Sequence, residues 1–302
     1  MGEWPSRRLS KRLFVADSRQ IFILEGIVTV VVGAAGKFLI VDWPEKAKFL
    51  SEEEKRLLIA RLSADVGDAK MNTLNKRSVY RIFSDWKMYL GTLMYFGVIN
   101  TGYATSFFTP QILTELGYKA EKAQVRSIPI FIVAACVAIT VAWFSDRLRH
   151  RYAFIIAGCC TATIGYVILI CQHMVSVQGR YGAVFLIVSG GYMAQPVTLG
   201  WTNNTMAGHW KRSLSSAFQV GFGNLGGIVA SNIFITSQAP EYPVGYGVSL
   251  GLIWLCALSA TGLFAGLWAE NKKRARGERD ERLDLPDADN LGDDHPHFRF
   301  TY

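Results

Sequence analysis

Residues 152–179 read YAFIIAGCCTATIGYVILICQHMVSVQG, a run of 28 residues without a lysine, arginine, aspartate or glutamate. About 20 apolar residues in a helix cross the hydrocarbon core of a bilayer. Comparable uncharged runs occupy residues 88–114, 127–145, 181–210, 213–240 and 242–269, and residues 20–41 carry only Glu25 and Lys37. The sequence therefore predicts an all-α polytopic membrane protein with about seven transmembrane helices.

The composition excludes a soluble enzyme. Half of the 302 residues are hydrophobic, and the mean hydropathy is +0.20. The net charge of +8 comes from bases that lie between the apolar segments, so they indicate membrane orientation and no nucleic-acid surface. All five cysteines fall inside predicted spans, without a disulfide framework or zinc spacing. We expect no catalytic set, no metal and no cofactor.

The positive charges also predict a topology. Residues 42–87 hold ten lysines and arginines, residues 146–151 hold three, Lys211 and Arg212 form a pair, and seven follow residue 269. Connections rich in lysine and arginine favour the cytoplasmic side, which places the C-terminus in the cytoplasm. The connections poor in these residues are then predicted to lie outside. The basic residues 1–19 fit this scheme poorly and form an atypical N-terminal segment.

These patterns divide the chain into segments. Residues 20–41 are a span, and residues 42–87 are a cytoplasmic loop with an amphipathic helix, for which Ser51 and Glu54 form a capping box. Residues 88–269 are a bundle of six helices. The polar residues 270–302 are predicted to be a disordered cytoplasmic tail.

Polar residues inside the spans are the candidates for a substrate site, because they are costly in lipid unless they face a partner or a cavity. In the second span, Asn100, Tyr103, Phe107 and Gln111 recur at three- and four-residue steps and share one helical face. They indicate either a substrate-facing wall or hydrogen bonds between packed helices.

Two later spans add amides to this set. The fifth span contains Gln195, Pro196 and Asn203, and the proline frees a backbone carbonyl in the helix. Asn224 lies in the sixth span. The predicted substrate-binding residues are therefore Asn100, Tyr103, Gln195, Asn203 and Asn224. Glu25, an acid well inside a span, is the candidate for proton coupling.

Residues 221–226 read GFGNLG and match a dinucleotide-binding fingerprint letter for letter. That fingerprint needs a preceding strand in a soluble fold, whereas here it lies within an uncharged span. Gly223 and Gly227 instead have the spacing that lets two membrane helices approach closely. After the third span, Asp146 is followed by Arg147 and Arg151, which predicts a conformational latch or, alternatively, orientation charges alone.

Several stretches resemble a known family. Residues 21–26 and 44–54 are similar to the sixth helix and central loop of the fungal anion:cation symporter branch of the major facilitator superfamily, which includes allantoate and nicotinate permeases. Residues 100–118 resemble its seventh helix, and residues 145–147 resemble the loop between its eighth and ninth helices. Residues 201–212 and 223–227 resemble the tenth and eleventh helices of that family.

The resemblance implies that the seven spans are helices 6 to 12 of that fold, and that five helices expected ahead of Gln20 are absent from the sequence. It implies proton-coupled symport, by alternating access at the plasma membrane, of small organic anions such as allantoate or nicotinate. The expected partners are the anion, a proton and the lipid bilayer. Because a lone second half lacks one wall of the site, we expect that this chain does not transport by itself. The alternatives are a non-transporting fragment and a seven-helix receptor.

Overall fold

The computed structural model describes residues 23–40, 47, 49–66, 71, 74–115, 117, 120–239, 241–285 and 290–302. Every long element among them is a helix, which confirms the all-α fold class. Contacts divide the chain into two units, Met1–Asp65 and Val66–Tyr302.

The described part of the first unit holds two helices. Helix α1 covers residues 23–39 and exposes apolar side chains such as Val30 and Phe38 around its circumference, as expected of a helix surrounded by lipid. Helix α2 spans Glu52–Val66. The Ser51 backbone N–H donates to Glu54 at 2.9 Å, and the Glu54 N–H donates to the Ser51 hydroxyl at 3.3 Å. These reciprocal bonds confirm the predicted capping box.

The second unit contains eight helices in its described part. They are α3 (Lys76–Phe83), α4 (Trp86–Glu115), α5 (Ala120–Leu148), α6 (Arg151–Ile170), α7 (Val177–Thr205), α8 (His209–Gly223), α9 (Gly226–Ile233) and α10 (Pro243–Ala275). Helix α4 is central and packs against α5, α7, α8, α9 and α10, whereas α6 lies along α7 and α10.

Four described helices are long and apolar enough to cross a membrane. They are Lys122–Leu148, Arg151–Ile170, Val177–Thr205 and Pro243–Ala275. Helix α4 is as long but is not one of these four, and the predicted span 213–240 is divided between α8 and α9. The total of seven spans therefore stays a prediction.

The second unit carries apolar side chains on its outside, and its mostly apolar interior also holds polar side chains. Ile132, Ile139 and Leu258 are more than half exposed, whereas Asn100 and Gln219 are completely buried. Scattered exposed apolar residues are common in soluble proteins, but whole helix faces of them indicate a surface that faces lipid.

Side chains of the connecting loops make contacts at both ends of the helices. At one end, Lys87 and Lys211 share the carboxylate of Asp85. At the other end, the Gln111 amide donates to the Tyr242 hydroxyl at 2.6 Å, and Gln172 donates to the Glu241 carbonyl at 3.1 Å. The positive-rich connections therefore share one end.

Candidate functional site

The break between α8 and α9 brings two predicted site residues together. At the boundary between α8 and α9 the helix tightens at Asn224 and Leu225, whose backbone keeps α-helical dihedral angles. The Tyr103 hydroxyl of α4 donates to Oδ1 of Asn224 at 3.3 Å. The Asn224 amide nitrogen donates to the Val220 carbonyl at 2.8 Å. The backbone N–H groups of Asn224, Leu225 and Gly227 bond to carbonyls of the same helical segment, so the polar group that contacts α4 at this turn is the Asn224 side chain.

The glycines on either side of the break allow α4 to lie close to it. A Cβ atom at Gly227 would approach the Tyr103 ring to 2.8 Å, and one at Gly223 would overlap the Tyr95 ring. The close approach predicted from the spacing of these two glycines is confirmed, and it sets the position of the Tyr103 hydroxyl at the break.

Asn100 lies one turn before Tyr103 and is completely buried. Its amide nitrogen donates to the Ser249 hydroxyl of α10 at 3.1 Å, and its carbonyl oxygen has no hydrogen-bond partner among the described residues. A buried acceptor without a partner costs free energy, so such an atom needs a structural or functional explanation.

The other two predicted binding residues make separate contacts. Gln195 of α7 lies beside the Tyr95 hydroxyl, and its backbone carbonyl accepts a bond from Thr198 at 2.8 Å. Asn203, two turns further along α7, accepts a hydrogen bond from the Ser216 hydroxyl of α8. Of the predicted set, the structure directly connects only Tyr103 with Asn224 by a described side-chain hydrogen bond.

The predicted proton-coupling residue, Glu25, lies on α1 in the first unit. It is exposed, and its backbone carbonyl accepts a hydrogen bond from the Thr29 hydroxyl at 2.8 Å. Its role stays a prediction.

The predicted latch residues lie at the junction of α5 and α6. The Arg151 guanidinium is 2.7 Å from the Asp146 carboxylate and donates to the Gly200 carbonyl at 3.1 Å. With its amide oxygen turned toward Arg151, Asn204 accepts from the same guanidinium. Arg147 points elsewhere and lies over the Trp143 ring at 5.8 Å. Arg151 therefore ties the start of α6 to the end of α7, and Arg147 does not take part.

A buried cluster of four charged groups was not predicted from the sequence. The Lys211 ammonium lies 2.6 Å from Asp85 and 2.9 Å from Asp293, and Lys87 contacts the same two carboxylates. All four side chains are at most 6% exposed. The two positive and two negative charges balance, which is the condition under which buried ions are tolerated.

The cluster shifts the pKa values of Asp293 and Lys211 away from neutrality. Burial alone would raise the pKa of Asp293, but the charges of Lys211 and Lys87 outweigh it and hold that pKa below its ordinary value. Burial would likewise lower the pKa of Lys211, but Asp293 and Asp85 raise it above the ordinary lysine value. Both groups are therefore charged throughout the physiological range.

Asp293 belongs to the tail that the sequence predicts to be disordered, whereas the described residues 290–302 pack against the helix ends. The Trp201 indole donates to the Thr301 carbonyl at 3.0 Å, and the Arg274 guanidinium donates to the Phe298 carbonyl at 3.0 Å. Asn271 donates to the Phe300 carbonyl at 2.9 Å and accepts its N–H at 3.0 Å. The polar composition of the tail did not predict this packing, because only one buried carboxylate and a few backbone hydrogen bonds hold the segment in place.

Long helices with apolar outer faces and buried polar contacts define a multi-pass helical membrane protein. The chain belongs to the Major Facilitator Superfamily, whose family model matches residues 13–231. This membership confirms the resemblance at the level of the superfamily, and it identifies the chain as part of a transporter and not an enzyme.

Curated fungal relatives are transporters by name. The chain is 31% identical over 264 residues to an uncharacterized transporter of Schizosaccharomyces pombe, covering 86% of this chain and 53% of the relative. It is 31% identical to the MFS-type transporter cnsO of Penicillium expansum, covering 94% of this chain and 58% of the relative. It is 26% identical to the high-affinity nicotinic acid transporter of Saccharomyces cerevisiae, covering 95% and 54%. The chain spans about half the length of the curated relatives it matches.

Proposed function

We propose that this chain is part of a carrier for small organic anions, carboxylates such as nicotinate or allantoate, which it moves by proton-coupled symport. The observation that carries the proposal is the contact between Tyr103 and Asn224 at the break between α8 and α9. The similarity to a nicotinic acid transporter supports a carboxylate as substrate.

The proposed site recognises a carboxylate through neutral donors. A carboxylate accepts about four hydrogen bonds, and the Tyr103 hydroxyl with the amides of Asn100, Gln195, Asn203 and Asn224 supplies such donors. In alternating access, a ligand carboxylate replaces the Asn224 oxygen as the acceptor of the hydrogen bond from the Tyr103 hydroxyl. Substrate binding therefore breaks the bond between Tyr103 and Asn224.

The charge balance of the spans supports coupling to a proton. Residues 88–114, 181–210 and 213–240 contain no lysine or arginine. An anion in a low-dielectric site without a basic side chain is costly, and a proton carried with it removes most of that cost. Glu25 is the proposed proton carrier, since it is the acid placed well inside a predicted span.

The latch and the orientation complete the proposal. We assign Asp146 and Arg151 to a contact that holds one conformation of the carrier, with Arg147 as a neighbouring orientation charge. The shared end of the positive-rich connections supports a cytoplasmic C-terminus, and the plasma membrane is the proposed location.

Of the two alternatives, membership of a transporter family argues against a seven-helix receptor. A non-transporting fragment stays open, because the relatives are about twice as long. Uptake is compared between cells that express the 302-residue chain alone and cells that express the native gene. This comparison distinguishes a non-transporting fragment from a carrier.

The experiment is an uptake assay with radiolabelled nicotinate, allantoate and pantothenate in cells that carry or lack the native gene. We expect saturable uptake of at least one of them, faster in acidic than in neutral medium and abolished by a protonophore. Labelled glucose serves as the neutral control. If no carboxylate shows uptake that depends on the gene, the proposed substrate class is contradicted. If uptake depends on the gene but not on the protonophore, only the proposed symport is contradicted.

A further inference from the structure

A cavity lies outside the proposed substrate site. It has a volume of about 650 Å³ and is bounded by α3, the first turn of α4, the last turns of α10 and the turn that follows α10. Pockets for small molecules and headgroups have volumes of about 300–1,000 Å³, so the cavity is large enough for a phosphate ester.

The wall of this cavity is strongly basic. Seven lysine and arginine side chains line it, against the three carboxylates of Asp85, Glu270 and Asp294. Two of the arginines are fixed by these acids: Arg279 donates to Glu270 at 3.0 and 2.8 Å, and Arg282 lies 3.4 Å from Asp294. These pairs hold the wall rigid and leave an excess of positive charge.

Lys76 and Arg77, at the start of α3, supply that excess. Both are exposed, and neither side chain has a hydrogen-bond or ion-pair partner in the part of the chain that the structure describes. Two cations at the mouth of a cavity, without protein partners, are free to bind an anion.

Aromatic side chains place the cavity at the expected level of lipid headgroups. Trp86 and Tyr80 line it and are 43% and 76% exposed. Helix α10, whose last turns form one wall, is one of the candidate membrane spans. Exposed Trp and Tyr next to lysine and arginine at the end of a span are typical of the membrane interface.

We propose that this cavity binds a phosphate group, and that its source is the headgroup of an anionic phospholipid. Free phosphate and the lipid headgroup share negatively charged phosphate oxygens. Lys76 and Arg77 bind these oxygens, and the fixed arginines line the wall beneath them. The acyl chains of the lipid then lie beside Trp86 and the exposed side of α10. This inference does not depend on the identity of the transported substrate.

The test measures binding to the purified full chain in detergent by thermal stabilisation. The probes are dioctanoyl phosphatidic acid, dioctanoyl phosphatidylcholine and inorganic phosphate. The variant is Lys76→Gln with Arg77→Gln. The matched control is Lys272→Gln with Lys273→Gln, an exposed basic pair at the end of the same span that does not line the cavity.

We expect phosphatidic acid to stabilise the wild-type chain and the control pair. For the Lys76→Gln and Arg77→Gln pair the apparent Kd rises about thirty-fold, at about 1 kcal/mol for each base. Inorganic phosphate that protects as well as the lipid would overturn the lipid source. Equal binding by all variants, or by phosphatidylcholine and phosphatidic acid alike, would overturn the site.

Discussion

The ammonium of Lys211 lies 2.9 Å from the carboxylate of Asp293, and both side chains are completely buried. Lys211 lies in the first turn of α8, whereas Asp293 lies in the C-terminal tail. The Asp293 carboxylate also accepts the Ala207 backbone N–H at 3.3 Å, so one acid joins the tail to the connection between α7 and α8. A polar tail is thereby anchored in the interior of the molecule.

Replacement of Asp293 by asparagine is expected to destabilise the second unit by about 3–5 kcal/mol, because it leaves two buried lysines to share one carboxylate. The exposed tail residue Asp284 provides the control, since Asp284→Asn removes the same charge from the surface. Thermal unfolding in detergent measures both. Equal midpoints for the two variants would show that the buried pair does not anchor the tail.

The same pair predicts a pH dependence. The lowered pKa of Asp293 gives stabilisation that is present above the ordinary aspartate pKa and is lost as the pH falls through the lower, folded-state value. The raised pKa of Lys211 gives stabilisation that is present below the ordinary lysine pKa and is lost as the pH rises through the folded-state value. The difference in unfolding midpoint between wild type and Asp293→Asn is therefore expected to be largest near neutrality and to shrink toward both extremes. A difference that does not vary with pH would contradict this assignment.

The helices could be predicted because hydrophobic runs and charge gaps are local properties of the sequence. The close approach at Gly223 and Gly227 was predictable for the same reason, since the spacing of small residues is visible along one helix. The turn at Asn224 was not predicted, because the uncharged run continues through it and its backbone keeps α-helical dihedral angles.

The charged cluster was hidden for a different physical reason. Asp85 and Lys87 look like solvated residues before a span, Lys211 like an orientation charge, and Asp293 like one acid of a polar tail. Their burial depends on contacts across more than 80 residues of sequence, which no local pattern encodes. A balanced set of acids and bases at the helix ends was the available signal.

Gly227→Ala is expected to lower the stability by about 1–3 kcal/mol, because the added methyl group meets the Tyr103 ring and must displace α4 or the break. Gly221→Ala is the matched control: a Cβ at Gly221 meets no atom within 4 Å. Thermal unfolding should show a lower midpoint for the first variant and an unchanged or higher one for the second. Indistinguishable midpoints would mean that α4 does not pack closely on the break.

Arg151→Gln tests the proposed latch against its neighbour. Arg151 is largely buried and holds both Asp146 and the Gly200 carbonyl, so its loss should cost about 1–3 kcal/mol and should reduce uptake. Arg147→Gln removes only an exposed contact with Trp143, worth less than about 1 kcal/mol. Unfolding midpoints and uptake rates are measured for both variants. A larger effect of Arg147→Gln on uptake would transfer the latch role to that residue.

Uptake of labelled nicotinate by the native gene product carrying Asn224→Ala or Asn232→Ala tests the proposed substrate site most directly. Both amides donate to the carbonyl four residues before them, but only Asn224 also accepts a bond from Tyr103. With equal amounts of protein in the membrane, we predict that Asn224→Ala lowers kcat/KM about ten-fold or more, the equivalent of about 1.4 kcal/mol, and that Asn232→Ala leaves it within about two-fold. Equal uptake by the two variants would contradict a substrate site at the break between α8 and α9.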